Sequence, residues 1–571
     1  MKQFTFLKRA CVLAVMVLAG LFSASAADFM VDSICYNIIG DNEVEVTSRD
    51  PKYSGDVVIP ATVTMDGVVY QVTRIGRQSF YKCVDMTSVE IPEGVTSIGY
   101  YAFVDCDRIE MPELPNSLIS IDGEAFGYCD NITSVYIPRN VATIAPFAFY
   151  GCDITDFICS TRNQYYKTVN GVLYSKDMTR LEVYPRASAG TTFDIPSTVE
   201  IIQSGAFSGA DKLTEITIPE SVTWIGASAF RNCDAMESIY IPDGVQHIGP
   251  SGFYNCDILS DIHLPASLDT ICNALCSRLP ALVELTVPSN VKYIDDFAFA
   301  ESDALKDINF EEGSNLLAIG LRAFENCIGL EHFEMPNSVT MLEGQIFGYC
   351  TGLKSVHLSD NLTNMDSSTF WGCSALTECE IPGGVQSIQN VFVNCASLKK
   401  VKIGNKNSTP GVTTIKNVGI GDCEQLEYIE LGANVDSLAT GAIIDVDSLK
   451  FLICWAATPP RCHYYWSSFW PYPDKLNATL YVPKASLEAY SNAYDWKDFR
   501  TIVAIEDVGD INHDGVINVT DVTALIGILL GNDASLYSPL TDVSFDGKTT
   551  VSDVTRLISL VLSGNPPLKA D

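Results

Sequence analysis

Two acidic loops near the end of the chain carry the residues whose types and spacing could do chemistry. Each loop has oxygen-bearing side chains at positions 1, 3, 5, 9 and 12, with Gly515 or Gly547 at position 6. Ca²⁺ takes oxygen ligands at these positions and a backbone carbonyl at position 7, and the glycine permits a sharp turn. The predicted ligands are Asp510, Asn512, Asp514, the Val516 carbonyl, Asn518 and Asp521 in the first loop, and Asp542, Ser544, Asp546, the Lys548 carbonyl, Thr550 and Asp553 in the second. We expect two calcium sites, because two acidic turns that bind nothing would not explain the paired glycines.

An apolar helical pattern follows each loop, from Val522 to Leu530 and from Val554 to Leu562, with no matching helix before it. A calcium loop with only an exit helix and Asp at position 12 resembles a dockerin module, here over residues 508–564. The resemblance implies folding on calcium and docking to a cohesin domain. The family's recognition positions, 10 and 11 of each loop, are occupied by Val519, Thr520, Val551 and Ser552. Helix positions that are often basic in the family are Ile526-Gly527 and Ile558-Ser559. The expected partner is cohesin-like, and another surface protein stays open.

A repeat of 23 residues organises most of the chain before these loops. Each copy has an Ile-Pro edge, an Ile-Gly turn and an Ala-Phe-x-x-Cys corner. The phenylalanine recurs at Phe80, Phe103, Phe126, Phe149, Phe207, Phe230, Phe253, Phe299, Phe324, Phe347, Phe370 and Phe392, with Cys276 in one copy. A period of 20 to 30 residues marks a solenoid, in which a unit that cannot bury its own apolar face stacks on its neighbours.

The repeated phrase resembles the BspA-like leucine-rich repeat over about residues 80–449. The resemblance implies a right-handed solenoid with a parallel sheet, used for adhesion or partner recognition without catalysis. The predicted fold is therefore a β-rich leucine-rich-repeat solenoid of 23-residue coils, followed by a small all-α calcium-binding module.

Alternation within a repeat predicts which side chains face outward. In the strand around Ile216, that residue and Ile218 point inward and Thr217 points outward. Gly226 is expected to supply an unusual backbone angle at the corner. The outward column is Glu90, Glu113, Tyr136, Thr217, Tyr240, His263, Thr286, Asn309, Glu334, His357 and Glu380. This column is either a binding face for protein or glycan, or an ordinary solvated sheet face.

Nineteen cysteines would ordinarily suggest disulfides in an exported protein. Eleven of them occupy the same corner of the repeat, where other copies have Ala210, Leu279 or Ser302. The slot therefore favours a small buried group, and we expect free thiols packed as small hydrophobes. Zinc is disfavoured because no pair of C-x2-C elements is present.

The two ends of the chain predict export and capping. Residues 1–26 read as a cleavable signal peptide, and no later segment has the ~20 consecutive apolar residues of a membrane helix. The expected domains are a signal peptide at 1–26, an N-terminal cap at 27–78, a solenoid at 79–449 with a hairpin insertion near 160–190, a C-terminal cap at 450–505 and the calcium module at 506–571. Aromatic residues such as Trp455, Trp466 and Trp470 either fill the second cap or form a sugar-stacking platform.

The net charge of −34 disfavours nucleic acid as a partner, because nucleic-acid binders cluster Lys and Arg. The sequence contains no nucleophile elbow, zinc-protease signature or phosphate loop. We therefore expect a secreted or surface-associated binding protein without enzymatic activity. The alternative is a hydrolase of a polysaccharide-degrading system, since dockerins by family carry such enzymes.

Overall fold

The computed structural model describes residues 27–404, 412–416, 418–462, 467–470, 477–531, 539–545 and 548–564. Several sequence predictions lie outside these residues, namely the signal peptide, Trp466, Asp546 and Gly547. The chain forms two compact units, Met1–Ala189 with Gly205–Phe207, and Gly190–Ser204 with Ser208–Asp571. Within each unit, short parallel strands recur coil after coil and helices are few, which confirms the predicted solenoid fold.

The first unit begins with an antiparallel sheet and continues as parallel coils. Phe29–Val31, Ile34–Gly40 and Glu43–Thr47 pair antiparallel in chain order, and Thr62–Met65 pairs with Val68–Ile75 in the same way. Val68–Ile75 also pairs parallel with Ser97–Ile98 and so starts the ladder of coils. The other strands of this unit are Gly55–Val58, Met86–Glu90, Ser120–Ile121, Ser134–Ile137, Thr143–Ile144, Asp156–Cys159, Tyr166–Val169, Val172–Ser175 and Arg180–Val183.

An antiparallel hairpin interrupts the parallel coils of the first unit. Tyr166–Val169 pairs with Val172–Ser175. The turn between them is Asn170 and Gly171, with φ of 50° and 80°. Two residues of positive φ give the turn type whose twist matches a two-stranded hairpin, and Asn-Gly is its favoured sequence.

The second unit arranges its strands in columns. The outer column consists of Thr192–Asp194, Glu215–Thr217, Ser238–Tyr240, Asp261–His263, Glu284–Val287, Asp307–Phe310, His332–Glu334, Ser355–His357, Glu378–Ile381, Lys400–Ile403, Tyr428–Leu431, Phe451–Cys454, Thr479–Val482 and Thr501–Ala504. The second column consists of Ile201–Ile202, Trp224–Ile225, His247–Ile248, Thr270–Ile271, Tyr293–Ile294, Ala318–Ile319, Met341–Leu342, Asn364–Met365, Ser387–Ile388, Thr414–Ile415, Ser437–Leu438 and Arg461–Cys462. A third column consists of Phe392–Val393, Ile420–Gly421, Ile443–Ile444 and Phe469–Trp470.

The repeated phenylalanine fills the interior of the coils. Phe103 and Phe126 stack in the first unit with centroids 5.0 Å apart and planes 4° from parallel. Phe347 and Phe370 stack in the second at 5.6 Å and 3°. All four rings are fully buried. Each coil therefore completes the core of its neighbour, as the repeat predicts.

The glycine of the Ile-Gly turn serves a different purpose from the one expected. Gly226 does not have positive φ, and the left-handed residue lies two positions later, at Ser228 with φ of 54°. A Cβ on Gly226 would lie 2.4 Å from the backbone nitrogen of Ser204 in the preceding coil. The prediction of an unusual angle at Gly226 was wrong, because glycine is required there by the close approach of two stacked backbones.

The corner cysteines are buried thiols, and most of them join one coil to the next by hydrogen bonds. No disulfide bond joins cysteines of the described residues. The Cys350 thiol donates to the Phe324 carbonyl of the preceding coil at 3.0 Å. Ser302 occupies the same slot and donates to the Cys276 carbonyl at 2.9 Å. The slot thus accepts a small donor, and burial raises the pKa of the Cys350 thiol so that the proton is retained.

Replacing Cys350 tests this hydrogen bond. Cys350→Ser keeps the donor, whereas Cys350→Ala removes it at nearly the same side-chain size. We expect the serine variant to be more stable than the alanine variant by about 1 kcal/mol, the usual net value of a buried hydrogen bond. Urea unfolding of both variants measures the difference. An alanine variant as stable as the serine variant would show that the slot selects size alone.

The parallel ladder continues past residue 449, where the sequence suggested that the coils end. Phe451–Cys454, Thr479–Val482 and Thr501–Ala504 extend the outer column in parallel register. Fully buried Tyr490 and Trp496 lie edge-to-face 5.3 Å apart beside them. Trp496 also packs edge-to-face on Phe469, which follows Phe392, Ile420 and Ile443 in the third column, so large buried rings continue the core beyond the 23-residue pattern.

Three α-helices lie in the described residues, all near the end of the chain: α1 at Leu487–Asn492, α2 at Val519–Leu530 and α3 at Val551–Ser563. Short 3₁₀ turns occupy Lys484–Ser486, Trp496–Asp498 and Ile505–Asp507. Both α2 and α3 begin three residues before the apolar pattern suggested. Within the described residues, no helix has the length and apolar character needed to span a membrane.

Candidate functional site

The first acidic loop is folded around the carboxylate of Asp510. This buried side chain accepts hydrogen bonds from the Asp514 amide at 3.1 Å and the Gly515 amide at 2.8 Å. Gly515 has φ of 83°. The positive φ bends the backbone so that its amides point at the first carboxylate of the loop, which is the role expected of glycine at position 6.

Asp521 closes the same loop and starts α2. One of its oxygens accepts from the Ile511 amide at 2.8 Å, and the other accepts from the Asn518 amide at 2.9 Å. The Asn518 side chain accepts from the Thr520 amide at 2.8 Å. This reciprocal arrangement is a capping box, and it explains why α2 begins at Val519 rather than at the first residue of the apolar pattern.

The second loop repeats this arrangement around Asp553. Its oxygens accept from the Ser544 amide at 2.8 Å and from the Thr550 amide at 2.7 Å, and Thr550 caps α3. The Ser544 hydroxyl oxygen is buried and has no hydrogen-bond partner among the described residues. A buried hydroxyl without a partner at loop position 3 is in keeping with a cation ligand.

The charge balance of the loops provides a test of whether they fit a cation. Asp510, Asp521 and Asp553 are buried, and within the described residues no Lys, Arg or His side chain forms an ion pair with them. Buried carboxylates of this kind call for a compensating positive charge. No cluster of three His, Cys, Asp or Glu side chains is gathered in the described part of the chain, which omits Asp546. The remaining predicted ligands are the carboxylates of Asp514, Asp542 and Asp546 together with amide, hydroxyl and carbonyl oxygens, all of which suit Ca²⁺.

Both parts of the chain match known families. Residues 67–169, 186–306 and 317–450 match the BspA type leucine rich repeat region in six copies. The chain belongs to the BspA-type leucine-rich-repeat family. Residues 508–562 match the dockerin type I domain, a calcium-binding module whose family partner is cohesin. Both kinds of module are typical of extracellular or surface proteins.

Similar solved structures are also leucine-rich-repeat proteins. One from Bacteroides ovatus is 23% identical, with 84% of this chain and 100% of that chain covered and a TM-score of 0.43. One from Eubacterium ventriosum is 24% identical, with 63% and 91% covered and a TM-score of 0.37. A cell surface protein from Faecalibacterium prausnitzii is 23% identical, with 72% and 96% covered and a TM-score of 0.33. The search of curated proteins gave no match.

The predicted recognition residues of the dockerin module lie exposed at the start of its helices. Val519 is 66% exposed and Val551 is 73% exposed, and Thr520 and Ser552 beside them are also exposed. The opposite sides of α2 and α3 pack together through a core that includes Leu525. The two predicted recognition pairs are therefore exposed to solvent on helices whose opposite sides are packed in the core of the module.

Sequence reasoning missed the far end of each exposed helix face. Leu530 is 80% exposed and Leu562 is 82% exposed. Together with the recognition valines they complete two apolar stripes at spacings of four, three and four residues. The stripes are Val519, Thr523, Ile526 and Leu530 on α2, and Val551, Thr555, Ile558 and Leu562 on α3. The signal in the sequence was this helical spacing, repeated identically in the two halves.

The eleven outward residues predicted along the solenoids are all exposed: Glu90, Glu113, Tyr136, Thr217, Tyr240, His263, Thr286, Asn309, Glu334, His357 and Glu380. Glu113 lies outside the strands, and the others belong to them. Tyr240 stacks on His263 in the next coil, with centroids 4.6 Å apart and planes 5° from parallel. The His357 Nε2 atom lies 3.9 Å from Oε1 of Glu334, and the Lys402 Nζ atom lies 3.4 Å from Oε2 of Glu380.

A second aromatic pair, not anticipated from the sequence, lies on the second column. Trp224 stacks on His247 of the next coil with centroids 3.8 Å apart. The Trp224 side chain is about half exposed, whereas partial burial lowers the pKa of His247. The 23-residue offset between the two residues was the available signal, since it places them side by side in neighbouring coils.

Proposed function

We propose that this chain is an exported, non-catalytic binding protein. In this proposal its calcium-loaded dockerin module docks to a cohesin-like partner, and the outward face of its coils recognises a second ligand, which is protein or glycan. The observation that carries the proposal is the pair of exposed apolar stripes on α2 and α3. An exposed apolar surface repeated on two helices is what a partner-binding module requires.

The chemistry of the stripes defines the docking partner. None of their eight residues is charged, although the whole chain has a net charge of −34. Apolar and hydroxyl side chains bury well against an apolar patch on another protein, and such contacts depend little on salt. The proposed partner is therefore a cohesin-like protein with an apolar surface. Val519 and Val551 are the residues proposed to contact that surface.

Calcium is proposed to act at both loops. The ligands would be Asp510, Asn512, Asp514, the Val516 carbonyl, Asn518 and Asp521 at one site, and Asp542, Ser544, Asp546, the Lys548 carbonyl, Thr550 and Asp553 at the other. When bound, the cation supplies the positive charge that the buried carboxylates lack. Because Asn518 and Thr550 also cap the helices, an ordered loop fixes the position of the recognition residue that follows it.

The outward face of the coils is proposed as the second binding surface. The stacked pair of Tyr240 and His263 on this face supports the proposal, because aromatic side chains contribute large contact areas to protein and sugar ligands. Turnover of polysaccharides by the chain after removal of residues 506–571 would favour the hydrolase alternative instead.

The docking surface can be tested with a paired substitution. We expect Val519→Asp combined with Val551→Asp to abolish calcium-dependent capture of the partner from the producing cell's surface fraction, because each change places a charge in an apolar interface. Val283→Asp, at an exposed valine of the solenoid, is the control and should capture as the unchanged chain does. Capture that survives both chelation and the double substitution would contradict the proposal.

A further inference from the structure

The outward face of the coils turns from polar to apolar at its C-terminal end. Register along the outer column places the following residues side by side in successive coils: Glu380, Lys402, Glu430, Ile453, Tyr481 and Val503. In earlier coils this position is open to solvent, and Tyr240 is 56% exposed there. Ile453 and Tyr481 are fully buried. Other residues of the chain therefore cover the sheet where it becomes apolar.

The cover includes Phe545, from the second acidic loop. Its ring lies edge-to-face on Tyr481 with centroids 5.3 Å apart, and edge-to-face on Phe451 at 6.0 Å. Phe545 packs against a cluster that also contains Ile453 and Val508. We name the outward side chains of Phe451, Ile453 and Tyr481 the seat. Phe545 therefore joins a ligand loop of the dockerin module to the sheet of the last coils.

The first loop has no such anchor at the equivalent position. Loop position 4 is His513 in the first loop and Phe545 in the second. Their backbones are alike, with φ of 60° and 58°. The His513 side chain is exposed. The two acidic loops thus share a backbone conformation at position 4. The loop that lies against the last coils is the one with an apolar side chain at this position.

Phe545 is tied to the ligands of its own loop. It follows Ser544, whose amide is held by Asp553 at 2.8 Å and whose hydroxyl is buried without a hydrogen-bond partner among the described residues. Movement of these ligands would move the neighbouring ring within the seat. The Phe545 side chain therefore links the conformation of the second loop to that of the last coils.

We propose that Phe545 is an intramolecular docking residue that couples cation binding at the second loop to the stability of the last coils. The coupling is reciprocal: the bound cation protects the seat strands, and the seat raises the affinity of the loop for the cation. The inference rests on the proposed cation site in the second loop. Coupling of this kind changes an affinity by about 5- to 150-fold.

Hydrogen exchange of the full chain, with calcium and with chelator, tests the coupling. Calcium is expected to slow exchange of the amides in Phe451–Cys454 and Thr479–Val482. Phe545→Ala should remove this protection and lower calcium affinity at one site by at least about 5-fold. His513→Ala changes the matching loop position and should behave as the unchanged chain. Amides of Ser238–Tyr240, far along the column, should exchange equally in all samples and so report intact folding.

Phe545→Leu keeps an apolar side chain in the seat and is expected to retain part of the protection. Calcium protection of the seat strands that is equal in Phe545→Ala and the unchanged chain would overturn the coupling. Calorimetry separates this result from failure of the proposed function. A chain that binds no calcium refutes the proposed sites, whereas a chain that binds calcium without protecting the seat strands refutes only the coupling.

Discussion

Removal of calcium is expected to unfold the dockerin module at residues 508–562 and to leave the coils before residue 428 folded. Three carboxylates of the two loops are buried and form no ion pair within the described residues: Asp510, Asp521 and Asp553. Keeping buried ionised groups without a compensating charge costs several kcal/mol per group, which is comparable to the whole stability of a small module. The apolar core of the module contains few side chains on α2 and α3, so its burial cannot offset this free-energy cost.

Far-UV circular dichroism measures this unfolding directly. α2 and α3 have 12 and 13 residues, whereas α1 has 6, so the helical signal of the described residues comes mainly from the module. Chelation should remove most of that signal, and added calcium should restore it. A helical signal that chelator leaves unchanged would contradict the proposed role of calcium.

A ligand substitution extends this expectation to single residues. Asp521→Ala removes a predicted ligand and the carboxylate that closes the loop. Calcium affinity at the first site should therefore fall by more than the roughly 10- to 100-fold loss that is typical when a residue that only supports a metal ligand is replaced. Glu488→Gln removes one exposed negative charge from α1 and serves as the control. Equal affinities of the two variants would exclude Asp521 as a ligand.

Truncation of one repeated phenylalanine is expected to destabilise the second unit by about 3–5 kcal/mol. Phe347 is fully buried between Phe324 at 5.7 Å and Phe370 at 5.6 Å, with Phe333 edge-to-face at 4.8 Å. Phe347→Ala removes ring contacts on three sides and leaves a cavity that stacked coils cannot close without losing strand register. Equilibrium urea unfolding measures the loss.

Two controls separate packing from a general effect of losing an aromatic residue. Phe347→Leu keeps most of the apolar volume and should cost less than about 1.5 kcal/mol. Tyr293→Ala removes a ring that is 44% exposed on the same unit, and should change stability by much less than Phe347→Ala does. If Phe347→Ala and Tyr293→Ala were equally stable, the stacked rings would not hold the coils together.

The corner of the repeat shows how far periodicity alone predicts structure. The repeat identified the buried slots of Phe103 and Cys350, because a side chain that recurs once per coil must face the same environment each time. It did not reveal the hydrogen bond from Cys350 to the Phe324 carbonyl, or the backbone contact that requires Gly226. Both depend on distances between coils of a few ångströms, and a pattern of residue types carries no distances.

For the acidic loops too, the sequence predicted some features and the structure revealed others. Their predicted ligands and the choice of Ca²⁺ as the cation followed from residue types at fixed spacing, because all the predicted ligands of one loop lie within 12 residues of one another. The early starts of α2 and α3 depended on capping by Asn518 and Thr550, which the apolar pattern did not include. The extent of the exposed stripes became clear only when the structure showed which sides of the helices pack together.

The sequence by itself determined the coil, its core positions and the composition of both acidic loops, since each is encoded within a single repeat or a single loop. Tertiary structure alone decided that the ladder continues beyond residue 449 and that Phe545 lies on Phe451 and Tyr481. In both cases the decisive contacts join residues that are far apart in the chain and share no repeated pattern. Such contacts are selected by the shape and apolar character of surfaces that exist only after the coils have stacked.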